Sequence, residues 1–322
     1  MMISIVTPVY NEEENVRFFH EEVTRVMQEA GEEYEILFVN DGSRDRTEEI
    51  LKELAKEDSH VRAISFARNF GHQIAITCGM DFADGDAVVT MDGDLQHPPA
   101  LIPTLIEKWR EGYDIVQTIR TATEDAGFVK RVTSSGYYAF INAISDSPIR
   151  PGGSDFRLMD RKAILTFRKF REHSRFIRGI VGNLGYRQTT VEFVAPPRHA
   201  GVSKFSMKKM LHFAMDGILT NSTAPLRMAF YIGVFSGLFG LALILHALFC
   251  YMMDYAVPGW STMVIIVSLF GSLNLVSLGI VGEYISRIFR ETQQRPLYWI
   301  GSDTADISEN PYRNLRREGE KD

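Results

Sequence analysis

Cysteine is nearly missing from this sequence: two residues in 322, Cys78 and Cys250, far apart and in no ligand-like spacing. That excludes a disulfide framework and a thiolate zinc site, and it fits a reducing compartment. Excess positive charge is lacking too. At a formal net charge of −6 the chain has no basic surface for a phosphate backbone, so no nucleic-acid partner is expected. Neither a G-x-G-x-x-G fingerprint nor a Walker P-loop occurs, which leaves dinucleotide and ATPase readings without a motif. The opening Met1-Met2-Ile3-Ser4-Ile5-Val6-Thr7-Pro8 has neither a basic start nor a long apolar core, so it is not expected to be a signal peptide.

Charge also disappears locally. It is dense to about Lys209, nearly absent from Met228 to Gly282, and dense again to Asp322. Two apolar stretches with no polar face fill the gap, and they predict transmembrane helices at about 228–253 and 263–285. Glycines recur in both (Gly233, Gly237, Gly240; Gly271, Gly279, Gly282), which would allow close helix approach and permits a homo-oligomer without requiring one. Lys204, Lys208, Lys209 and Arg227 precede the pair and Arg287, Arg290 and Arg295 follow it, while Asp254 to Thr262 carries no Lys or Arg. By the positive-inside rule both ends are expected to be cytosolic, in a multi-pass protein of the inner (plasma) membrane. The expected layout is a cytosolic domain over 1–220, a two-helix hairpin over 221–290 and a cytosolic tail over 291–322, flexible beyond Ile300. Phe128 to Ser145 mixes basic residues with an aromatic and aliphatic face, which predicts a helix lying in the membrane interface.

Before the membrane, short apolar runs alternate with amphipathic stretches. Strands are predicted at Ile3–Thr7, Glu35–Val39, Val61–Phe66, Ala87–Met91 and Asp114–Thr118, and helices at Asn15–Ala30 and Arg46–Lys56. The alternation implies an α/β fold, a mainly parallel Rossmann-like sheet with helices on both faces. Ligands of such sheets bind beyond the carboxyl ends of the strands. Polar residues gather at three of those ends: Pro8-Val9-Tyr10-Asn11-Glu12, Asn40-Asp41-Gly42-Ser43 and Asp92-Gly93-Asp94. Asp-x-Asp alone is weak evidence, because Asp84-Gly85-Asp86 repeats it eight residues earlier. Position separates them. The earlier pair precedes its strand, at the amino edge. The later pair follows it, at the ligand edge, where two carboxylates can share Mg²⁺ or Mn²⁺ with a bound diphosphate.

At these residues the chain resembles family 2 glycosyltransferases of GT-A fold, and within them the polyprenyl-phosphate glycosyltransferases. The likeness extends to about Tyr298 and rests on Thr7 to Glu12, Val39 to Ser43, Arg68-Asn69-Phe70-Gly71-His72, Asp92 to Pro99, Ser154 to Arg161, and Arg198 to Phe205. The resemblance implies that Pro8, Tyr10, Glu12 and Asp41 line a nucleotide pocket. It implies a divalent cation on Asp92 and Asp94, with Gln96 a further ligand, and a catalytic acidic residue at Asp155. It assigns acceptor-phosphate contacts to Arg120, Arg131, Ser135, Arg198, Ser203 and Lys204. The implied reaction is transfer from a nucleotide sugar, a UDP-sugar being favoured, to a polyprenyl phosphate lipid, with inversion. The stretch Arg178 to Tyr186 departs from the family pattern at Asn183, where an aromatic residue is common. Two other readings stay open. A processive polysaccharide synthase shares the fold but carries a Q-x-x-R-W motif, which Gln293-Gln294-Arg295-Pro296-Leu297 does not match. A non-catalytic membrane scaffold would have no need of Asp92, Asp94 and Asp155 together.

Overall fold

The computed structural model describes residues 1–121, 153–194, 223–253 and 259–305. In chain order the first unit comprises β1 (Met2–Val9), α1 (Val16–Ala30), β2 (Glu33–Asn40), α2 (Thr47–Glu57), β3 (Val61–Phe66), α3 (His72–Phe82) and β4 (Ala87–Thr90). A short 3₁₀ turn (Pro99–Leu101) leads into α4 (Ile102–Arg110) and β5 (Ile115–Arg120). Then follow β6 (Gly153–Asp160), α5 (Arg161–Phe167), α6 (Ile177–Asn183) and β7 (Gln188–Phe193). The second unit holds α7 (Ala224–Met252) and α8 (Trp260–Thr292), after which β8 (Ile300–Asp303) belongs to the first again.

The strands form one sheet in the order β7-β5-β6-β4-β1-β2-β3-β8. Strand β1 pairs in parallel with β2 and β4, β2 with β3, and β5 with β7. Strands β6 and β8 run antiparallel to their neighbours. Side chains alternate across the sheet, as the pleat demands. Ile3, Ile5, Ile36, Phe38 and Val89 pack with Val16, Phe19, Leu51, Leu54 and Leu105 of α1, α2 and α4. Val6, Leu37, Val39, Ile64 and Val88 pack on the other face with Ala75, Ile76, Ile164 and Ile180 of α3, α5 and α6. The α/β class with helices on both faces is therefore the one expected from the sequence.

Local chemistry sets the helix ends. Gly31 closes α1 in the left-handed conformation at φ 68°. Glu48 and Glu49 open α2 and Lys56 ends it, each sign opposing the helix dipole there. Asp160 caps α5 by accepting from the Lys162 amide.

The stretch beyond Ile300, expected to be flexible, opens with a strand. Residues 296–305 belong to the sheet unit, and β8 adds an edge strand to β3. Tyr298 is buried, stacks on Phe66 at 5.2 Å and donates to Asp81 at 2.9 Å. Arg62 meets Asp303 through two hydrogen bonds, at 3.2 and 2.9 Å. Leu297 and Ile300 pack against the core beside Tyr298, and backbone pairing to the β3 edge holds the strand that follows.

In the second unit α7 and α8 carry candidate membrane spans at Ala224–His246 and Ile265–Thr292. Both helices present large apolar side chains outward: Phe230, Phe235, Leu275 and Leu278 are each more than 60% exposed. Such surfaces suit lipid, and the two helices are long enough to cross a bilayer. Phe270 of α8 lies over Gly240 of α7, with 3.5 Å to the position a Cβ would take there.

Candidate active site

The site lies at the carboxyl ends of β1, β2, β3 and β4. Three loops are pinned to one another there. Asn11 Oδ1 accepts from the Arg44 amide at 2.8 Å, and the Asn11 amide donates to Ser43 Oγ at 2.9 Å. Asn40 Oδ1 accepts from the Ser43 amide and hydroxyl. Gly42, at φ 66°, brings its loop so close to the next that a Cβ would sit 2.5 Å from the Arg68 carbonyl carbon. Only glycine fits that approach.

The expected nucleotide residues lie at the end of β1 and on the loops beyond β1 and β2. Pro8 is in β1, opposite Val39, and Tyr10 follows the strand. Glu12 accepts from Asn15 Nδ2 at 2.6 Å and so helps start α1. Asp41 is buried, and its carboxylate accepts from the Phe70 amide at 2.6 Å and the Gly71 amide at 3.0 Å. Burial raises its carboxyl, and those two amides offset the rise only in part. Asp41 thus fixes the start of α3. The next residue, His72, points Nε2 to within 3.4 Å of Asp92 Oδ1 and 3.9 Å of Asp155 Oδ2.

Asp92 follows β4, and its Oδ1 is buried with no hydrogen-bond partner among the described residues. Asp94 Oδ1 accepts from the Gln96 amide at 3.1 Å, closing a tight turn through Leu95 at φ 57°. The described residues contain no cluster of three or more His, Cys, Asp or Glu arranged to hold a metal ion. They do contain two carboxylates one residue apart, one with an undonated oxygen. This donor set fits a hard cation whose remaining positions are filled from outside the protein.

Asp155 reaches the same edge because β6 is antiparallel to β4, so that its first residues, and not its last, lie there. Its carboxylate accepts from Arg157 Nη2 at 2.8 Å and from Arg178 Nε and Nη2 at 3.1 Å each. Burial alone would raise this carboxyl, but the guanidiniums of Arg178 and Arg157 outweigh it and hold it well below the usual carboxylate range. Burial lowers the Arg157 guanidinium to about 10, which leaves it charged at neutral pH. Arg178 is brought in by the start of α6, where the Ile177 amide donates to Gln73 Oε1 at 3.0 Å.

Arg120 is exposed at the end of β5. The other expected phosphate contacts, Arg131, Ser135, Arg198, Ser203 and Lys204, lie outside the described residues, as does the predicted interfacial helix. Sequence reasoning gave no role to His72, His97, Arg157 or Arg178. The first three lie inside motifs singled out for resemblance, so position was the available signal. Nothing in the sequence paired Arg178 with Asp155.

These features gather an acidic pair and an arginine-braced carboxylate at the carboxyl edge of an α/β sheet, and comparison with known proteins names the family. The Glycosyl transferase family 2 model matches residues 4–167, and the chain belongs to that family. It is a glycosyltransferase. An uncharacterized glycosyltransferase of Bacillus subtilis (strain 168) is 43% identical over 312 residues, 97% of each chain. A bactoprenol glucosyl transferase of Shigella phage SfX is 40% identical over 306 residues, 94% of this chain and 99% of that one. A solved glucosyl-3-phosphoglycerate synthase from Mycobacterium tuberculosis, in complex with Mn²⁺, UDP-glucose and phosphoglyceric acid, aligns at a TM-score of 0.45. It is 19% identical, over 68% of this chain and 78% of that one.

Proposed function

We propose that this chain transfers a sugar from a UDP-sugar to a polyprenyl phosphate, with undecaprenyl phosphate favoured, at the cytosolic face of the inner membrane. The observation that carries the reading is the undonated Asp92 Oδ1 beside Asp94 and a locked Asp155, at the ligand edge of the sheet. Support for a lipid acceptor comes from the bactoprenol glucosyl transferase at 40% identity over 94% of the chain, and from two helices long enough to span a bilayer.

Asp92 and Asp94, with Gln96, would hold Mg²⁺ or Mn²⁺, which when bound supplies Lewis-acid neutralisation of the departing nucleoside diphosphate. Pro8, Tyr10, Glu12 and Asp41 line the nucleotide pocket, and Asp41 acts there by fixing the Phe70–His72 loop. Arg120, Arg131, Ser135, Arg198, Ser203 and Lys204 grip the acceptor phosphate, which arginine engages in a bidentate manner. That phosphate is already ionised at neutral pH and needs no strong base. Asp155, held as a carboxylate by two arginines, is a poor proton acceptor. Its role is to orient the sugar or acceptor and to steady positive charge at the anomeric carbon, with inversion there.

The test is transfer of labelled sugar from UDP-glucose, UDP-galactose, UDP-GlcNAc or GDP-mannose to undecaprenyl phosphate by the purified full chain. Label in the extractable lipid, lost on chelation, is the expected result. Absence of lipid product from every donor would overturn the acceptor assignment, and full activity in excess chelator would remove the cation.

A further inference from the structure

We propose that His97 is a positioning residue for the cation-binding loop: in one fixed tautomer it pins the Asp92 main chain and leaves the Asp92 carboxylate free of donors from the ring. The inference rests on the reading of Asp92 and Asp94 as cation ligands. The geometry gives the imidazole no freedom. His97 is buried, its ring stacked on Phe156 at 5.3 Å and edge-on to Phe193 at 6.0 Å. Nδ1 lies 2.9 Å from the Asp92 amide nitrogen. An amide N–H can only donate, so Nδ1 is the unprotonated acceptor.

The single ring proton then belongs to Nε2, which lies 2.7 Å from Ser154 Oγ. Ser154 Oγ also accepts from the Phe156 amide at 3.1 Å. The Asp92 amide therefore sets the tautomer, and the Ser154 hydroxyl can accept the Nε2 proton it leaves. That tautomer has a consequence for the carboxylate. Asp92 Oδ2 stands 3.6 Å from the same Nδ1. Without a proton, Nδ1 cannot donate to that oxygen and compete with a cation for it. The opposite tautomer would direct N–H against the Asp92 amide and offer a donor to its carboxylate. Through Ser154 the ring also ties this loop to the strand that carries Asp155.

Local sequence makes the contact possible. His97 is five residues beyond Asp92, and the left-handed Leu95 together with the Asp94–Gln96 turn doubles the chain back. Neighbours of metal ligands that orient them typically change affinity by about 10- to 100-fold when removed.

The experiment measures Mn²⁺ binding to the purified full chain with UDP present, by electron paramagnetic resonance of free Mn²⁺, alongside thermal melting. His97→Ala is expected to weaken Mn²⁺ by about 10-fold or more. In His97→Asn, the side-chain oxygen replaces Nδ1 opposite the Asp92 amide, so affinity should stay within about threefold of wild type, whereas His97→Gln, which extends toward Ser154, should behave as the alanine variant does. Wild-type affinity in a folded His97→Ala protein would overturn the inference. Should that variant not fold, equal affinities of the Asn and Gln variants would overturn it. No saturable Mn²⁺ binding by the wild type would instead overturn the cation reading beneath it.

Discussion

The tripeptide Asp-Gly-Asp flanks β4 on both sides, and the two copies differ in what occupies their polar groups. At the amino end Asp86 accepts from the Met2 amide at 3.0 Å, the Asp84 amide donates to Glu35 Oε1 at 2.9 Å, and the Gly85 amide donates to Ser4 Oγ at 2.7 Å. Gly85 is packed so tightly that a Cβ would lie 2.6 Å from the Ser4 nitrogen. This copy is a joint between strands. At the carboxyl end Asp92 keeps a buried oxygen with no hydrogen bond among the described residues, 3.4 Å from the His72 imidazole nitrogen. A buried polar atom left without a partner costs free energy, and it persists where function uses it. Identical residues thus serve opposite ends: in one copy they tie neighbouring strands together, and in the other Asp92 Oδ1 has no hydrogen bond among the described residues.

Removing a carboxylate from each copy breaks the comparison most directly. Asp94→Ala should lower turnover by about a thousandfold, equivalent to about 4 kcal/mol of lost charge stabilisation, with melting little changed. Turnover near wild type in a folded protein would erase the distinction between the copies. A third carboxylate sharpens it. Asp155→Asn should reduce turnover by about a hundredfold or more while nucleotide binding persists. It should also lower stability by about 3 kcal/mol, because it leaves the buried Arg157 without its counter-charge. Unchanged lipid product from this variant would deny Asp155 a part in the chemistry.

Smaller effects are expected where a carboxylate is fully occupied by structural donors. Asp81 is met by Arg171 at 2.9 Å and by the Tyr298 hydroxyl at 2.9 Å. Tyr298→Phe removes one donor from it and should cost about 1–2 kcal/mol in a melting or denaturant series, with turnover unaffected. Smallest of all is Asp86→Ala. Its exposed hydrogen bond to Met2 is worth about 0.5–1 kcal/mol, and turnover should stay within about twofold of wild type. A large loss of activity there would mean that the amino-edge copy also takes part in catalysis.

Much of the frame was legible in the residues. Alternating apolar runs marked β1 to β5, and the stripe of Val16, Phe19, Val23, Val26 and Met27 marked α1. Strand position told the two acidic pairs apart. Helix α3 escaped notice because Ala75 to Phe82 are all buried, so no polar face gave the helical period away. Strand β6 entered only as the motif Ser154 to Arg161, although Pro151-Gly152-Gly153 stands directly before that motif, and β8 sat in a segment taken for a tail. Arg157 and Arg178 lay in stretches of resemblance, but nothing there tied either to Asp155. They meet Asp155 because β6 inserts antiparallel beside β4 and α6 docks at Gln73.

Local pattern was enough for the class of fold, the apolar spans, and the acidic pair at a strand end, because each depends on neighbours a few positions apart. The direction of β6, the return of the chain after α8 to pair with β3, and the ionised state of Asp155 could not be read that way. They depend on residues far apart in the chain becoming neighbours, and on burial that strengthens each charge–charge contact once they do.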